Sequence, residues 1–123
     1  MKEKAITGIR FLLGLIMVNS GLNKFLHYMP MPEMTEQAME LMAAFGASGY
    51  MFPLIAITEI IAGILLLSKK YTALGAVLMM PITVNILLFH AFLDTAGMVM
   101  GIVLLLINIV ILVSEKKHLY PLL

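Results

Sequence analysis

The 123-residue sequence contains no cysteine and no tryptophan, and only 12% of its residues are charged. Without cysteine the chain has no disulfide, thiolate metal site, covalent haem link or thiol relay. The net charge of +1 leaves no broad basic surface for nucleic acid. A Walker loop, a dinucleotide fingerprint, an HExxH motif and a hydrolase nucleophile elbow are also missing. These absences argue against an ordinary soluble enzyme and leave open whether the chain catalyses any reaction.

Hydrophobic residues dominate instead: they make up 62% of the chain, and the mean hydropathy is +1.04. A small soluble domain cannot bury so large an apolar share, because its surface-to-volume ratio is high. Four continuous apolar segments approach or exceed the ~20 residues that a helix needs to cross a bilayer. They cover residues 5–26, 50–68, 71–93 and 96–114. We predict one membrane domain of residues 1–123, an all-α antiparallel bundle of four transmembrane helices.

The basic residues predict an orientation, because lysine and arginine are enriched on the cytoplasmic side of membrane proteins. Seven of the eight basic residues fall on one side of the four segments: Lys2, Lys4, Arg10, Lys69, Lys70, Lys116 and Lys117. Lys24 alone falls on the other side. We therefore expect both termini in the cytoplasm. The first segment resembles a signal peptide but is followed by no small-residue cleavage site, so we expect it to be retained.

Residues 27–49 form a long extracytoplasmic loop that predicts a short amphipathic helix. Pro30 and Pro32 end the first transmembrane helix, and Pro32 suits the first turn of the next one. The apolar face of this short helix carries Met34, Ala38, Leu41, Met42 and Phe45. We expect it to end near Gly46 or Gly49 and either to lie in the outer interface of the membrane or to cap the mouth of the bundle. Asp94 is expected to cap the fourth transmembrane helix.

Polar residues inside the four segments are the candidates for function, because they are costly in a bilayer and normally face the bundle interior. Most gather toward the extracytoplasmic end: Glu59, Lys24, Asn85, His90, Asn19 and Asn23. The Glu59 carboxylate must pair, accept several hydrogen bonds or stay protonated. Lys24 is the nearby cation, and Asn19, Asn85 and His90 are the expected neutral partners. We predict ligand binding or proton handling at this group, with a purely structural hydrogen-bond role as the alternative.

Two further patterns concern the packing of the helices. Arg10 and Asn108 form a sparser polar pair toward the cytoplasmic end. One stripe of the first helix carries Arg10, Gly14, Met17, Gly21 and Lys24, at spacings of three and four residues. Gly97 and Gly101 form a GxxxG motif, for which we favour packing within the bundle over dimerisation.

No metal site is predicted. The chain has 12 methionines, of which only Met29, Met31 and Met34 cluster, and apolar filling is favoured over copper binding. A bis-histidine haem between His27 and His90 is geometrically conceivable, but nothing in the sequence fixes the pair.

Three motifs follow one another along the chain. Gly21-Leu22-Asn23-Lys24-Phe25 closes the first segment, Glu59-Ile60-Ile61-Ala62-Gly63 lies in the second, and residues 81–90 lie in the third. Their order and spacing resemble the DoxX family of small four-helix bacterial membrane proteins. Lys24, Glu59 and Gly63 match the family pattern, whereas Asn85 and His90 match only the members most like this chain. Ser68 and Lys69 stand where glycine often ends the second helix, a departure that touches only the turn.

The resemblance implies a protein of the bacterial inner membrane that is associated with redox systems. The family is named for a subunit of a thiosulfate:quinone oxidoreductase, and relatives accompany oxidative-stress or quinone-detoxification genes. The expected function is an accessory subunit, or a quinone-type ligand-binding component, of a membrane redox or stress-response system. The alternatives are a proton-coupled small-molecule transporter and a non-enzymatic scaffold or assembly partner.

The chain encodes no cofactor of its own, so electrons require a bound quinone or a partner protein. We expect the partners to be the lipid bilayer and either a redox protein or further copies of the chain. No nucleic-acid partner is expected.

Overall fold

The computed structural model describes residues 2–31, 33–119 and 121, apart from the side chain of Lys2. Within these residues the chain forms helices and no strand, which confirms the predicted all-α class. The helices are α1 (Lys2–Leu26), α2 (Glu36–Ser48), α3 (Met51–Leu67), α4 (Thr72–Phe92), α5 (Met98–Ser114) and α6 (Lys116–Leu119). The four long apolar segments of the sequence correspond to α1, α3, α4 and α5, with ends that differ by a few residues.

The helices provide three or four candidate membrane spans. By length and hydropathy α1, α4 and α5, the last together with a preceding 3₁₀ turn at Thr95–Gly97, can each cross a bilayer. With 17 residues, α3 is ~26 Å long, slightly short of the ~30 Å hydrocarbon core. α2 and α3 meet at an angle of 93° and pass the same test when taken together as one broken segment.

The four long helices pack around one hydrophobic core. α1 packs on α3, α3 on α4, α4 on α5, and α5 returns to contact α1. The largest apolar side chains of this core are Leu13, Met17, Leu66, Met79 and Ile111, all of them nearly inaccessible.

Glycines allow α1 and α3 to approach closely. A Cβ atom on Gly63 would lie 2.8 Å from the carbonyl oxygen of Gly14, and one on Gly21 would lie 2.7 Å from that of Ala56. Residue numbers rise along α1 as they fall along α3, so these two helices are antiparallel. The predicted stripe from Arg10 to Lys24 is thus the face of α1 that packs on α3.

The GxxxG motif, which runs from the 3₁₀ turn at Gly97 into α5 at Gly101, packs within the bundle as expected. A Cβ atom on Gly101 would lie 3.1 Å from the Cα of Leu87, and one on Gly97 would overlap the ring of His90. Both glycines therefore face α4 of the same chain.

The short helix α2 begins later than predicted. Residues 33–35 are not helical, because Thr35 provides the cap: its Oγ1 accepts the amide hydrogen of Ala38 at 3.2 Å. Pro32, which was expected in the first turn, lies outside the described residues. The predicted end is confirmed at Gly49, whose φ of 77° lies in the left-handed region that favours glycine.

The prediction that Asp94 caps the fourth transmembrane helix is wrong. Asp94 precedes the 3₁₀ turn, its side chain makes no capping hydrogen bond, and α5 begins at Met98. The amide of Gly97 donates instead to the main-chain carbonyl of Asp94 at 3.3 Å. Because this main-chain hydrogen bond closes the 3₁₀ turn, the side-chain carboxylate of Asp94 is not needed as a cap.

Candidate functional site

The bundle has two ends that carry different polar residues. We call the end where α1 and α4 finish the Lys24 end, and the opposite one, where α3 and α5 finish, the Arg10 end.

The central pair of the Lys24 end is Lys24 of α1 and Glu59 of α3. Lys24 Nζ lies 2.8 Å from Glu59 Oε1 and donates a second hydrogen bond to Ser20 Oγ at 3.1 Å. The Glu59 side chain is 4% exposed and that of Lys24 is 24% exposed. The carboxylate is therefore buried between helices, while the ammonium lies closer to the surface.

The packing of α1 on α3 explains why these two side chains meet. Gly21 allows α1 to approach the backbone of α3 at Ala56. Lys24 lies three residues after Gly21, and Glu59 lies three residues after Ala56, so in this antiparallel pair they lie one helical turn to either side of the contact. Because helical side chains lean toward the N-terminus of their own helix, the two side chains point toward each other. Ser20 precedes Lys24 by four residues, which places its hydroxyl on the same face of α1.

The pair leaves hydrogen-bonding capacity unused. An ammonium group has three donors, and Lys24 uses two of them on Glu59 and Ser20. Glu59 Oε2 is buried and has no hydrogen-bond partner among the described residues. The site therefore retains one N–H donor of Lys24 and one buried carboxylate oxygen of Glu59 for a further group.

Asn19 and Asn23 hold the chain that follows α1 rather than Glu59. The Asn19 side chain contacts the hydroxyl of Tyr28 and donates to Met29 Sδ at 3.3 Å. Asn23 Oδ1 accepts the amide hydrogen of Met29 at 2.8 Å. The chain reverses at His27, whose φ of 52° is left-handed. Residues 28 and 29 thus pack on the face of α1 that carries Asn19 and Asn23, and Asn19 stays exposed there.

Asn85 does not face the bundle interior, contrary to the expectation. Its side chain is exposed, and no hydrogen bond joins it to another described residue. The buried positions of α4 include Met79 and Thr83. Asn85 lies two residues after Thr83, a rotation of ~200° around the helix, so the buried stripe of α4 turns it outward.

His90 lies in the last turn of α4, and its side chain contacts the turn between α4 and α5. Its Nδ1 lies 3.1 Å from the carbonyl oxygen of Asp94, and its ring packs on Gly97 and edge-on against Phe89. Among the described residues it has no hydrogen bond to Lys24 or Glu59. The structure therefore brings Lys24 and Glu59 together and leaves His90 and the three asparagines outside their hydrogen-bond set.

Arg10 and Asn108, the predicted inner polar pair, are both buried but have different partners. Arg10 Nη1 donates to the carbonyl of Leu66 at 2.9 Å and lies 3.3 Å from Thr72 Oγ1. Asn108 instead connects α5 to α4 through Thr83. The two residues do not bond to each other, because Arg10 reaches the turn between α3 and α4 whereas Asn108 faces the middle of α4.

Asn108 and Thr83 form a buried cluster between α5 and α4. The Thr83 hydroxyl lies 2.8 Å from Asn108 Oδ1, and Asn108 Nδ2 donates to the carbonyl of Ala76 at 3.1 Å. Both side chains are 0% exposed. Sequence reasoning missed Thr83, together with Ser20 and Thr72. Ser20 carried a signal in the sequence, its four-residue spacing from Lys24. Thr83 and Thr72 carried no such signal, because their side-chain partners, Asn108 and Arg10, lie on other helices.

In the described part of the chain, no group of three or more histidine, aspartate or glutamate side chains is placed to hold a metal ion.

Comparison with known proteins adds one finding. No curated protein and no solved structure matches the chain. The family model described as DoxX matches residues 5–91, a region that runs from the first helix almost to the end of α4 and includes Lys24 and Glu59. This match covers more than half of the 123 residues. Together with its long apolar helices, it shows that the chain is a multi-pass membrane protein and belongs to the DoxX family.

Proposed function

We propose that the chain crosses the bacterial inner membrane four times, with both termini in the cytoplasm. Basic residues of the described structure concentrate at the Arg10 end: Lys4, Arg10, Lys69, Lys70, Lys116 and Lys117. The positive-inside rule favours this end as the cytoplasmic one. The Lys24 end and α2 then lie on the outer side, and the Lys24–Glu59 pair lies toward the outer leaflet.

We propose that this pair binds a quinone-type ligand and that the protein is an accessory component of a membrane redox or stress-response system. The observation that carries the proposal is Glu59 Oε2, which is buried and has no partner among the described residues. A buried, unpaired carboxylate oxygen costs free energy. A ligand that donates a hydrogen bond to this oxygen would remove that cost.

A quinone and its quinol fit the two groups that the pair leaves available. A quinol hydroxyl can donate to Glu59 Oε2, and a quinone carbonyl can accept from the remaining N–H of Lys24. Glu59 lies eight residues into α3, which is ~12 Å along the helix axis, a depth that a lipid-soluble ring reaches through the bilayer. A bound quinone supplies redox chemistry, while Lys24 and Glu59 hold and orient it, so electrons still come from a partner protein.

The test begins with gently purified, full-length protein. A solvent extract is analysed for quinones by absorbance and mass spectrometry, and the protein is titrated with short-chain ubiquinone and menaquinone analogues by calorimetry. We expect a bound quinone and a measurable affinity in the wild type. Glu59→Gln is expected to weaken binding about ten- to a hundredfold, because a hydrogen bond to a charged acceptor is replaced by one to a neutral amide.

Glu40→Gln is the matched control, since it changes an exposed carboxylate of α2 in the same way. It should leave the affinity unchanged. Extracts free of quinone, combined with no binding in the titrations, would overturn the proposal. Equal losses in Glu59→Gln and Glu40→Gln would show that the effect is not specific to the buried pair.

The same buried oxygen favours a second candidate, proton-coupled transport of a small molecule, because an unpartnered carboxylate in a membrane protein is a place to hold a proton. Flux measurements in reconstituted liposomes with an imposed pH gradient distinguish transport from quinone binding. Transport is favoured if the wild type carries a small molecule, Glu59→Gln abolishes this flux, and no quinone binds. Quinone binding without flux favours the accessory role. A wild-type phenotype in both the Glu59→Gln strain and the His90→Ala strain favours a scaffold instead.

A further inference from the structure

The Arg10 end contains an open cleft that the Lys24–Glu59 pair does not use. It has a volume of about 540 Å³ and lies between the first turns of α1, the turn from α3 to α4, and the end of α5. Its polar lining consists of two basic residues, two carboxylates and three hydroxyls, among them Arg10, Lys69, Glu3, Glu115, Thr7 and Ser114.

Arg10 is the fixed element of this cleft. It is 8% exposed, and both of its hydrogen bonds, to Leu66 and Thr72, use Nη1. Its guanidinium also lies 4.7 Å from the centre of the Phe11 ring. A guanidinium has five donors in a planar fork, so Nη2 and Nε remain for another acceptor. This arrangement suits two-point binding of a phosphate group.

The basic and acidic side chains that line the cleft do not pair with each other, although Glu115 contacts His118, which does not line the cleft, at 3.5 Å. Among the described residues, the ion pairs within 4.0 Å are Lys24–Glu59 and His118–Glu115, and neither joins a basic residue to a carboxylate across the cleft. A simple anion in the cleft would face the repulsion of Glu3 and Glu115, and a simple cation that of Arg10 and Lys69. A ligand that carries one group of each charge avoids both costs.

The position of the cleft indicates the source of such a ligand. It lies at an end of a membrane-spanning bundle, where lipid headgroups meet the protein. Phe11 and Val113, which follow and precede the cleft residues Arg10 and Ser114 in the sequence, are 43% and 57% exposed and offer apolar surface for acyl chains. A headgroup that carries a phosphate and a primary amine matches this combination of charged cleft and apolar surface.

We propose that this cleft binds the headgroup of a zwitterionic aminophospholipid, with the phosphate at Arg10 and Lys69 and the ammonium at Glu3 and Glu115. The hydroxyl of Thr7 lies in the cleft as a further donor to the phosphate. This site is separate from the quinone-type site and does not depend on it.

The experiment uses purified full-length protein in detergent, with native mass spectrometry and thermal unfolding as readouts. The probes are dioctanoyl phosphatidylethanolamine, dioctanoyl phosphatidylglycerol and the chain-free headgroup glycerophosphoethanolamine. We expect the ethanolamine lipid to bind more tightly than the glycerol lipid, which lacks the amine. The chain-free headgroup should bind more weakly than the lipid, because it cannot use the apolar surface.

Variants at the rim test the assignment without disturbing buried Arg10. Lys69→Gln and Glu115→Gln are each expected to weaken binding of the ethanolamine lipid about two- to fivefold, the effect of losing one exposed ion pair. Glu115→Gln should not weaken binding of the glycerol lipid. Lys70→Gln is the matched control, because Lys70 lies over the Tyr71 ring and does not line the cleft.

Three results would overturn the proposal. These are equal affinity for the two lipids, equal effects of Lys69→Gln and Lys70→Gln, and binding of glycerophosphoethanolamine as tight as that of the lipid. The last result would identify a soluble phospho-amine as the ligand. None of these results bears on quinone binding, so the two proposals can fail separately.

Discussion

Two buried polar clusters of this protein differ in how completely they are hydrogen-bonded. Between α4 and α5, Asn108 and Thr83 bond to each other, and the Asn108 amide also donates to the carbonyl of Ala76. Between α1 and α3, Glu59 bonds to Lys24 through one oxygen, while Oε2 has no partner among the described residues. The first cluster holds helices together, whereas the second retains a group that can bind something else.

The comparison shows why burial of a polar residue is not enough to identify a functional site. In a bilayer every buried polar group needs a partner, and neighbouring helices usually provide it. Asn108 is more deeply buried than Glu59, at 0% against 3% exposure. Its hydrogen-bond partners nevertheless all lie within the bundle, so its burial needs no ligand to explain it. What distinguishes Glu59 from Asn108 is its unused hydrogen-bonding capacity, not how deeply it is buried.

The largest effect is expected from Lys24→Met, which leaves the Glu59 carboxylate buried without a cation. Removing one partner of a buried pair costs about 3 kcal/mol, a low value in the usual range because Lys24 is 24% exposed. The free energy of unfolding, measured by denaturant titration in micelles, checks this. Adding Glu59→Gln should recover most of the loss, since the uncompensated charge is then gone.

Lys70→Met is the control for the lysine itself, and its effect should stay within about 0.5 kcal/mol. If the double variant remains as unstable as Lys24→Met alone, the lost stability comes from packing of the lysine stem. The contrast between the two clusters would then not rest on the charge of Glu59.

A smaller effect is expected from Asn108→Leu, which leaves the Thr83 hydroxyl and the Ala76 carbonyl with fewer partners. The expected loss is about 1–3 kcal/mol in the free energy of unfolding. Combining it with Thr83→Val should cost less than the sum of the two single changes, because they remove the same hydrogen bond. Quinone affinity should be unchanged in folded Asn108→Leu protein. A loss of affinity as large as that of Glu59→Gln would remove the distinction between the clusters.

The smallest effect is expected from Gly21→Ala, which pushes α1 away from α3 beside the Lys24–Glu59 pair. The added methyl group meets Ile60 and the carbonyl of Ala56, and overpacking of this kind costs about 1–2 kcal/mol. Gly8→Ala is the control, because nothing lies within 4 Å of its Cβ position. It should be neutral or stabilising by up to about 1 kcal/mol. Equal thermal midpoints for the two variants would show that the close contact is not needed.

Much of the fold follows directly from the sequence. Long apolar segments mark α1, α3, α4 and α5, because hydropathy and length are properties of the chain that need no knowledge of its neighbours. The stripe from Arg10 to Lys24 predicts the packing face of α1 for the same reason, since helical spacing is local. The candidate site was only partly predictable. Its two members could be named, but Asn85 was expected inside the bundle and lies outside it.

The sequence by itself determined that the chain forms long apolar helices, that Glu59 is buried at a cost, and that glycines line the contact face of α1. The tertiary structure decided the partners: Lys24 bonds to both Glu59 and Ser20, Thr83 meets Asn108, and Arg10 faces a separate cleft. The reason is geometric. Each residue turns a helix by ~100°, so the relative rotation and register of two helices decide which side chains meet, and neither is encoded in the spacing along one helix alone.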